Sequence, residues 1–270
     1  MSSTYEVLMI CFLSHRPSKR AYGSARHIAQ TTGEEVSIVV DDCNYEVPYY
    51  DGVVPEIKIP KEVAEAAGYR ATVSWSEGSA YSRDKALYHY NVIDDSHDKI
   101  WFVEDDVFIP NPYAFEMIDR KYADEDYDLI CSSNYINRNP QDTKHINDWY
   151  WRDYVDKYCP FDLPLASSMI CVMRCSRKLL KKIHEHAEVY GSLFMDEVFF
   201  NTICLRENLK VGVIDELKYI TWASRFESSQ VQRTHLYHPV KNDMDHDRLR
   251  EKFKEKMQND YITALGIENL

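Results

Sequence analysis

Three acidic residues follow an apolar stretch in the segment IWFVEDDVFIP, residues 100–110. The neighbouring carboxylates of Glu104, Asp105 and Asp106 repel one another, so they need a cation or hydrogen-bond donors to neutralise them. Their hard oxygen ligands suit Mn²⁺ or Mg²⁺, and either ion can also bridge phosphate oxygens. We therefore interpret the triplet as a metal site for a phosphorylated ligand. The alternative is a solvated acidic turn after a strand.

Two further segments carry candidate chemistry. SLFMDEVFFN places Asp196 and Glu197 at the predicted start of a helix, whose dipole favours ionised carboxylates; the alternative is a helix-capping pair on a solvated face. RTHLYHPVK contains His235, His238 and Lys241. A neutral imidazole adds a metal ligand without adding charge, and on a strand two histidines three residues apart face opposite sides. We select His238 as the ligand, with His235 as its competitor.

The elements around these residues predict an α/β fold. Residues 5–13 and 35–40 form apolar and β-branched runs typical of buried parallel strands, and a helical pattern over 18–30 separates them. This strand–helix–strand unit predicts a parallel sheet covered by helices. The acidic triplet stands at the carboxyl end of a strand predicted over 99–103, where such sheets bind ligands. Further strands are predicted over 69–75 and 165–174, and further helices over 79–93, 193–205 and the C-terminal residues.

The overall composition argues against several classes of protein. The 270 residues carry a formal net charge of -12, and so acidic a chain repels phosphate backbones, which argues against a nucleic-acid partner. The seven cysteines include no CxxC pair, and several, such as Cys171 in SMICVM, lie in apolar runs, so we expect reduced thiols. The apolar run after Met1 is too short for a membrane span and lacks the basic start of a signal peptide. We expect a cytoplasmic protein.

A strand, an acidic triplet and a hydrophobic restart together resemble the DxD-type motif of nucleotide-sugar glycosyltransferases with the GT-A fold. The triplet is the specific motif of this resemblance. Over much of the rest of the chain, only the order of strands and helices is similar. It implies a Rossmann-like, mixed and mainly parallel central sheet flanked by helices, in a single domain. That domain would comprise a nucleotide-binding half (1–110), an acceptor-binding and catalytic half (111–245) and a C-terminal helix (246–270). The chain is more similar to soluble viral and bacterial members than to Golgi enzymes.

The same resemblance implies roles for individual residues. Asp106 and Glu104 would bind the metal and His238 would complete the site, although this family often has Asp at the position of Glu104. Asp196, or else Glu197, would be the base that deprotonates the acceptor hydroxyl. The nucleotide-sugar would be contacted by Ser14, Arg16, Asp41, Asp42, Arg83, Asp84, Lys85, Glu104, Asp105 and Lys241.

We therefore predict a metal-dependent glycosyltransferase that moves a sugar from a nucleotide diphosphate sugar to a hydroxyl of a glycan acceptor. Mn²⁺ or Mg²⁺ is the expected cofactor, and a UDP-sugar, with UDP-xylose and UDP-glucose as candidates, is the expected donor. Aromatic residues within 134–164, among them Tyr135, Trp149 and Trp151, are interpreted as an acceptor-binding loop. One alternative is a sugar nucleotidyltransferase, but its Gly-rich loop is missing, since residues 11–24 contain only Gly23. The other is a non-catalytic carbohydrate-binding protein.

Overall fold

The computed structural model describes residues 8–73, 76–77, 80–138, 155, 157–223 and 226–264. Its helices are α1 (Lys19–Thr32), α2 (Lys61–Ala66), α3 (Ser82–Tyr88), α4 (Ala114–Lys121), α5 (Arg177–Tyr190), α6 (Asp196–Arg206) and α7 (Asp243–Ala264). Its strands are β1 (Met9–Ser14), β2 (Glu35–Val40), β3 (Glu56–Ile57), β4 (Thr72–Val73), β5 (Ser76–Glu77), β6 (Lys99–Glu104), β7 (Leu129–Cys131), β8 (Tyr135–Asn137), β9 (Leu165–Ser167), β10 (Val172–Ser176), β11 (Val211–Val213), β12 (Tyr219–Ile220) and β13 (Tyr237–His238).

The centre of the fold is a seven-stranded sheet in the order β11–β7–β10–β6–β1–β2–β3. All neighbouring pairs are parallel except those made by β10, which runs antiparallel to both β6 and β7. The predicted α/β fold with a mixed, mainly parallel sheet is confirmed. Because β10 runs in the reverse direction, the residues just before it reach the edge of the sheet at which β1 and β6 end.

The central strands are buried on both faces, because alternate side chains of β1 and β6 enter two separate cores. On one face, Cys11 and Phe102 pack with residues of α3, α5 and α6. On the other face, Phe12 and Trp101 pack with residues of α1 and α4. Full burial of a large apolar side chain stabilises the fold by about 1.5–3 kcal/mol. The packed sheet therefore holds the end of β6, and with it the acidic triplet, in a fixed position.

Two helices begin at residues that the sequence marks as caps. The Ser18 hydroxyl accepts a hydrogen bond from the Ala21 backbone N–H at 3.1 Å, and Gly33 ends α1 with a φ of +76°. The Ser176 hydroxyl accepts from the Leu179 backbone N–H at 3.1 Å at the start of α5. A serine cap is worth about 1 kcal/mol, and glycine adopts a positive φ without steric cost. The caps at Ser18 and Gly33 thus set the limits of α1 close to the predicted range 18–30, and the cap at Ser176 sets the start of α5.

The strand predicted over 165–174 is in fact two strands, β9 and β10. Between them, residues 168–171 leave the extended conformation, because the Ser168 backbone N–H binds the Glu197 carbonyl oxygen at 2.9 Å. β9 pairs with β8 in a separate two-stranded sheet, whereas β10 enters the central sheet. The break creates a turn at the sheet edge, which an apolar strand pattern alone does not indicate.

Other predicted elements are shorter than expected. The helix predicted over 193–205 begins at Asp196, because the Leu193 backbone N–H binds the Arg70 carbonyl oxygen at 2.9 Å instead of joining a helix. Among the described residues of the strand predicted over 69–75, Thr72–Val73 form β4, which pairs with β5 in a two-stranded sheet. Within the described ranges, no helix has both the length and the apolar composition that crossing a bilayer requires.

Candidate active site

A cleft of about 360 Å³ opens at the carboxyl end of β6. Segments that are far apart in the chain reach it, among them the end of β6, the start of α3, the turn before β10, the start of α6 and the segment around β13. The cleft gathers predicted site residues that are far apart in the sequence. Those that line it are Arg83, Asp84, Glu104, Asp106, Asp196, Glu197, His238 and Lys241.

The other predicted site residues lie outside this lining and are already engaged with one another. The Ser14 hydroxyl donates a hydrogen bond to the Asp105 carboxylate. Exposed Arg16 pairs with Asp42 at 2.7 Å. Buried Lys85 pairs with the carboxylate of Asp41 at 2.7 Å and donates to its carbonyl oxygen at 2.6 Å. Their predicted contacts with a nucleotide remain predictions.

His238 meets two of the acidic residues inside the cleft. Its Nε2 lies 3.2 Å from Asp106 Oδ1 and 3.7 Å from Glu104 Oε2. Its Nδ1 is 2.8 Å from the Thr221 carbonyl oxygen, which can only accept, so Nδ1 carries a proton and donates it there. In the neutral imidazole, the lone pair of Nε2 therefore points at two carboxylates, an arrangement that a proton or a metal ion between them stabilises.

Backbone hydrogen bonds carry His238 to this position. The Phe108 backbone N–H donates to the Tyr237 carbonyl oxygen at 2.8 Å, and the Tyr237 N–H returns a bond to Phe108 at 3.2 Å. The Val240 N–H donates to the Asp106 carbonyl oxygen at 2.8 Å. The segment around β13 is thus fastened to the residues just after the acidic triplet. The competing histidine, His235, instead pairs with Asp215 at 3.0 Å and does not line the cleft.

Electrostatics distinguish Asp106 from Asp105, its neighbour in the acidic triplet. Burial opposes ionisation of Asp106, but the hydrogen bond and positive charge of His238 outweigh it and lower the Asp106 pKa. Burial likewise opposes protonation of His238, and Asp106 outweighs it and raises the His238 pKa. Asp105 behaves differently, because burial raises its pKa despite its bond from Ser14. Asp106, rather than Asp105, is the anionic ligand that the cleft offers.

Arg83 joins the two acidic regions of the cleft. Its guanidinium contacts both the Glu104 carboxylate and the Asp196 carboxylate as a fork. Burial alone would lower the Arg83 pKa. The negative charges of Asp196 and Glu104 outweigh this effect and raise the pKa, so Arg83 stays protonated. Arg83 therefore forms an ion pair with Asp196 and fixes Glu104 through one of its oxygens.

Glu197 stands beside this ion pair without a comparable partner. Its Oε2 is buried and accepts no hydrogen bond, and it lies against the same cleft. Burial, reinforced by the negative charge of Asp196, raises the Glu197 pKa well above its ordinary range. The pair that the sequence places at the start of α6 thus divides into Asp196, which is paired with Arg83, and Glu197, whose raised pKa favours the protonated carboxyl.

Residues 92–256 match the family model described as "Protein of unknown function (DUF3405)". The chain belongs to this family. The DUF3405 match includes Glu104, Asp106, Asp196 and His238, whereas Arg83, which links two of them, precedes it. None of the curated proteins compared with this chain matches it.

Among solved structures, the chain is similar to the apo form of mouse xyloside xylosyltransferase 1. The two share 13% sequence identity with a TM-score of 0.41, and the match covers 90% of this chain and 99% of the mouse chain. At this level of overlap the likeness fixes neither fold nor activity. The residues of the cleft carry the functional conclusions instead.

Two cleft residues of this DUF3405 protein were missed by the sequence reasoning. Cys171 lines the cleft from the turn before β10, and with Glu104 and His238 it forms a group whose ligand atoms all lie within 4.8 Å of one another. Trp222 also lines the cleft and is 60% exposed. Cys171 lies in an apolar run typical of a core residue, and it is the antiparallel pairing of β10 with β6 that brings it beside Glu104. The predicted acceptor-loop residues Trp149 and Trp151 lie outside the described residues.

Asp84 should make the stability of the protein depend on pH. The Tyr81 backbone N–H donates to its carboxyl at 2.9 Å, yet burial raises the Asp84 pKa from 3.8 to about 7. The folded protein therefore binds this proton more tightly than the unfolded chain, and the resulting stability is lost as the pH rises from 3.8 to 7. We expect the free energy of unfolding of Asp84→Asn, relative to that of the wild type, to rise by up to about 4 kcal/mol between pH 3.8 and 7.

The measurement is urea unfolding of both proteins at several pH values, compared as a difference in the free energy of unfolding. Taking the difference cancels the other titrating groups, because both proteins share them. A difference that stays constant from pH 3.8 to 7 would show that Asp84 binds its proton equally in the folded and unfolded states, so that folding does not raise its pKa.

Proposed function

We propose that this protein is a metal-dependent glycosyltransferase that uses a nucleotide diphosphate sugar. The observation that carries the proposal is one cleft in which Glu104, Asp106 and His238 converge at the carboxyl end of β6, facing Asp196 in its ion pair with Arg83. A metal-binding group and a carboxylate base in the same cleft are the two parts that transfer of a sugar to a hydroxyl requires.

The residues present fit a divalent cation. Asp106 Oδ1 is buried and lies 3.2 Å from His238 Nε2. In the neutral tautomer fixed by Thr221, that Nε2 carries a lone pair, so both atoms offer electron pairs to the same place. Glu104, Asp106 and His238 would hold Mn²⁺ or Mg²⁺, since these hard ions prefer the two carboxylates and the neutral imidazole adds a ligand without adding charge. A cation bound there would offset the negative charge of the departing diphosphate.

The remaining cleft residues have distinct tasks in this proposal. Lys241 is exposed at the cleft and would pair with the diphosphate, which lowers the excess negative charge of the site. Asp196, held in place by Arg83, takes the proton of the acceptor hydroxyl while the bond from that oxygen to the sugar forms and the sugar–phosphate bond breaks. Protonated Glu197 donates a hydrogen bond to a sugar or acceptor oxygen.

The first test is metal-dependent binding. A panel of nucleotide-sugars, UDP-xylose and UDP-glucose among them, would be screened by thermal unfolding with Mn²⁺ and then with EDTA. We expect stabilisation by at least one donor only when the metal is present. The same shift with EDTA would rule out a metal-bridged diphosphate.

Asp106→Asn should weaken metal-dependent binding of the nucleoside diphosphate by at least about 100-fold, as measured by calorimetry. The reason is that loss of a group that only supports a metal ligand already costs roughly 10–100-fold, and Asp106 is placed as a ligand itself. Asp124→Asn is the matched control, because Asp124 is exposed on a 3₁₀ turn, Ala123–Glu125, and does not line the cleft. Equal affinity in the Asp106 variant and the control would remove the acidic triplet from the metal site.

A further inference from the structure

Glu104, Cys171 and His238 place three different ligand atoms around one point of the cleft. One carboxylate oxygen, one sulfur and one imidazole nitrogen lie within 4.8 Å of one another. They come from the end of β6, the turn before β10 and β13, so the grouping is a product of the fold and not of local sequence. Asp106, the strongest candidate for a hard cation, does not belong to this group.

The backbone fixes each of the three residues before any ion binds. The Glu104 backbone N–H donates to the Cys171 carbonyl oxygen at 2.9 Å, which sets the two side chains next to each other. Cys171 is 6% exposed and His238 is 7% exposed, and the His238 ring is oriented by its bond to the Thr221 carbonyl oxygen. Histidines that bind a metal regularly donate their other ring N–H to a hydrogen-bond acceptor, which orients the ring.

The chemistry of this group differs from that of the hard-cation site. Mg²⁺ and Mn²⁺ select oxygen ligands, whereas a set of sulfur, nitrogen and oxygen selects Zn²⁺ or Co²⁺, which bind cysteine thiolate in four-coordinate sites. Zinc–ligand distances are about 2.0–2.3 Å, so ligand atoms within 4.8 Å need only a small closure around the ion. The Glu104 side chain can move toward the ion to shorten these distances, because it is 32% exposed.

We propose that Glu104, Cys171 and His238 form a thiolate-containing site for Zn²⁺ or a similar borderline-soft cation. On binding, the S–H bond of Cys171 breaks, a metal–sulfur bond forms, and the proton passes to the buffer. The site shares Glu104 and His238 with the Mn²⁺ or Mg²⁺ site, so the two occupancies exclude each other. Zn²⁺ therefore displaces the activating cation and inhibits; this consequence rests on the proposed function, whereas Zn²⁺ binding does not.

The experiment uses Co²⁺ as a spectroscopic probe on the full chain, after removal of metals with EDTA and without nucleotide. We expect a thiolate-to-cobalt charge-transfer band in the near ultraviolet, together with visible bands of a four-coordinate ion. The band should vanish in Cys171→Ser and Cys171→Ala, and their Zn²⁺ affinity should fall by at least about 10-fold. Cys43→Ser is the control that should keep the band, because Cys43 is half-buried and bonded to the Ile59 carbonyl oxygen outside the cleft.

A second measurement on the wild type avoids dependence on variants that fail to fold. Zn²⁺ should protect Cys171, but not Cys43, from alkylation detected by mass spectrometry, and Mg²⁺ should protect neither. Absence of the charge-transfer band in the wild type, or a band retained without Cys171, overturns the proposal. So does equal alkylation of Cys171 with and without Zn²⁺. Because no nucleotide is present, these outcomes are independent of whether the protein binds a nucleotide-sugar.

Discussion

Replacing Asp196 by Asn should slow sugar transfer by roughly 10²–10⁴-fold, the usual effect of losing a general base. Donor affinity should not fall, because the base acts on the acceptor, and the variant leaves more of the Arg83 charge available to a diphosphate. The measurement is the initial rate of nucleoside diphosphate release, with the donor that the binding screen identifies, alongside calorimetry of the same donor.

Glu197→Gln is the matched comparison for this experiment. Glutamine imitates a protonated glutamate in shape, so it should change the rate far less than Asp196→Asn if burial keeps Glu197 protonated. The reverse order would assign the base to Glu197. Near-wild-type turnover in both variants would exclude both carboxylates as the base and favour a mechanism that retains the configuration of the sugar.

Replacing Arg83 by Met should lower the free energy of unfolding by about 3 kcal/mol in the absence of metal. Removal of one partner of a buried ion pair costs about 3–5 kcal/mol, because a charge is left without compensation. We expect the lower end of this range, since Glu104 and Asp196 keep 32% and 21% of their side-chain surface exposed. Urea unfolding in EDTA measures the loss.

Two further variants make the Arg83 result specific. Arg83→Lys should recover only part of the loss, because a single ammonium group does not reproduce the fork that contacts both carboxylates. Arg16→Met removes an arginine that is 59% exposed and paired with Asp42, and it should cost less than about 1 kcal/mol. If Arg83→Met is as harmless as Arg16→Met, water alone compensates the two cleft carboxylates.

The parts of the site that could be predicted are those that local sequence determines. An apolar run followed by an acidic triplet is visible in one short segment, so the position of Glu104 and Asp106 at the end of β6 follows from strand chemistry alone. The same holds for α1, whose limits are set by Ser18 and Gly33. The mixed sheet was expected from the resemblance, since a strand–helix–strand pattern predicts parallel pairs only.

The parts that could not be predicted depend on pairing between distant segments. Sequence patterns do not show that β10 is antiparallel to β6, and that register is what sets Cys171 beside Glu104. They likewise do not show that Arg83 contacts Glu104 and Asp196, which is why it was assigned to the donor and not to an ion-pair bridge. In both cases the partner is chosen by the fold rather than by neighbours in the chain.

The fastening of β13 to the residues after the acidic triplet also has a consequence for biosynthesis. Glu104 and Asp106 leave the ribosome long before His238, and no backbone bond can hold that histidine in place until Tyr237 and Val240 have docked. A nascent chain therefore carries an incomplete set of metal ligands for most of its translation. Under the proposed function, capture of the cation would be confined to the last stage of synthesis. A chain that ends before β13 would lack the histidine ligand although it contains every strand of the seven-stranded sheet.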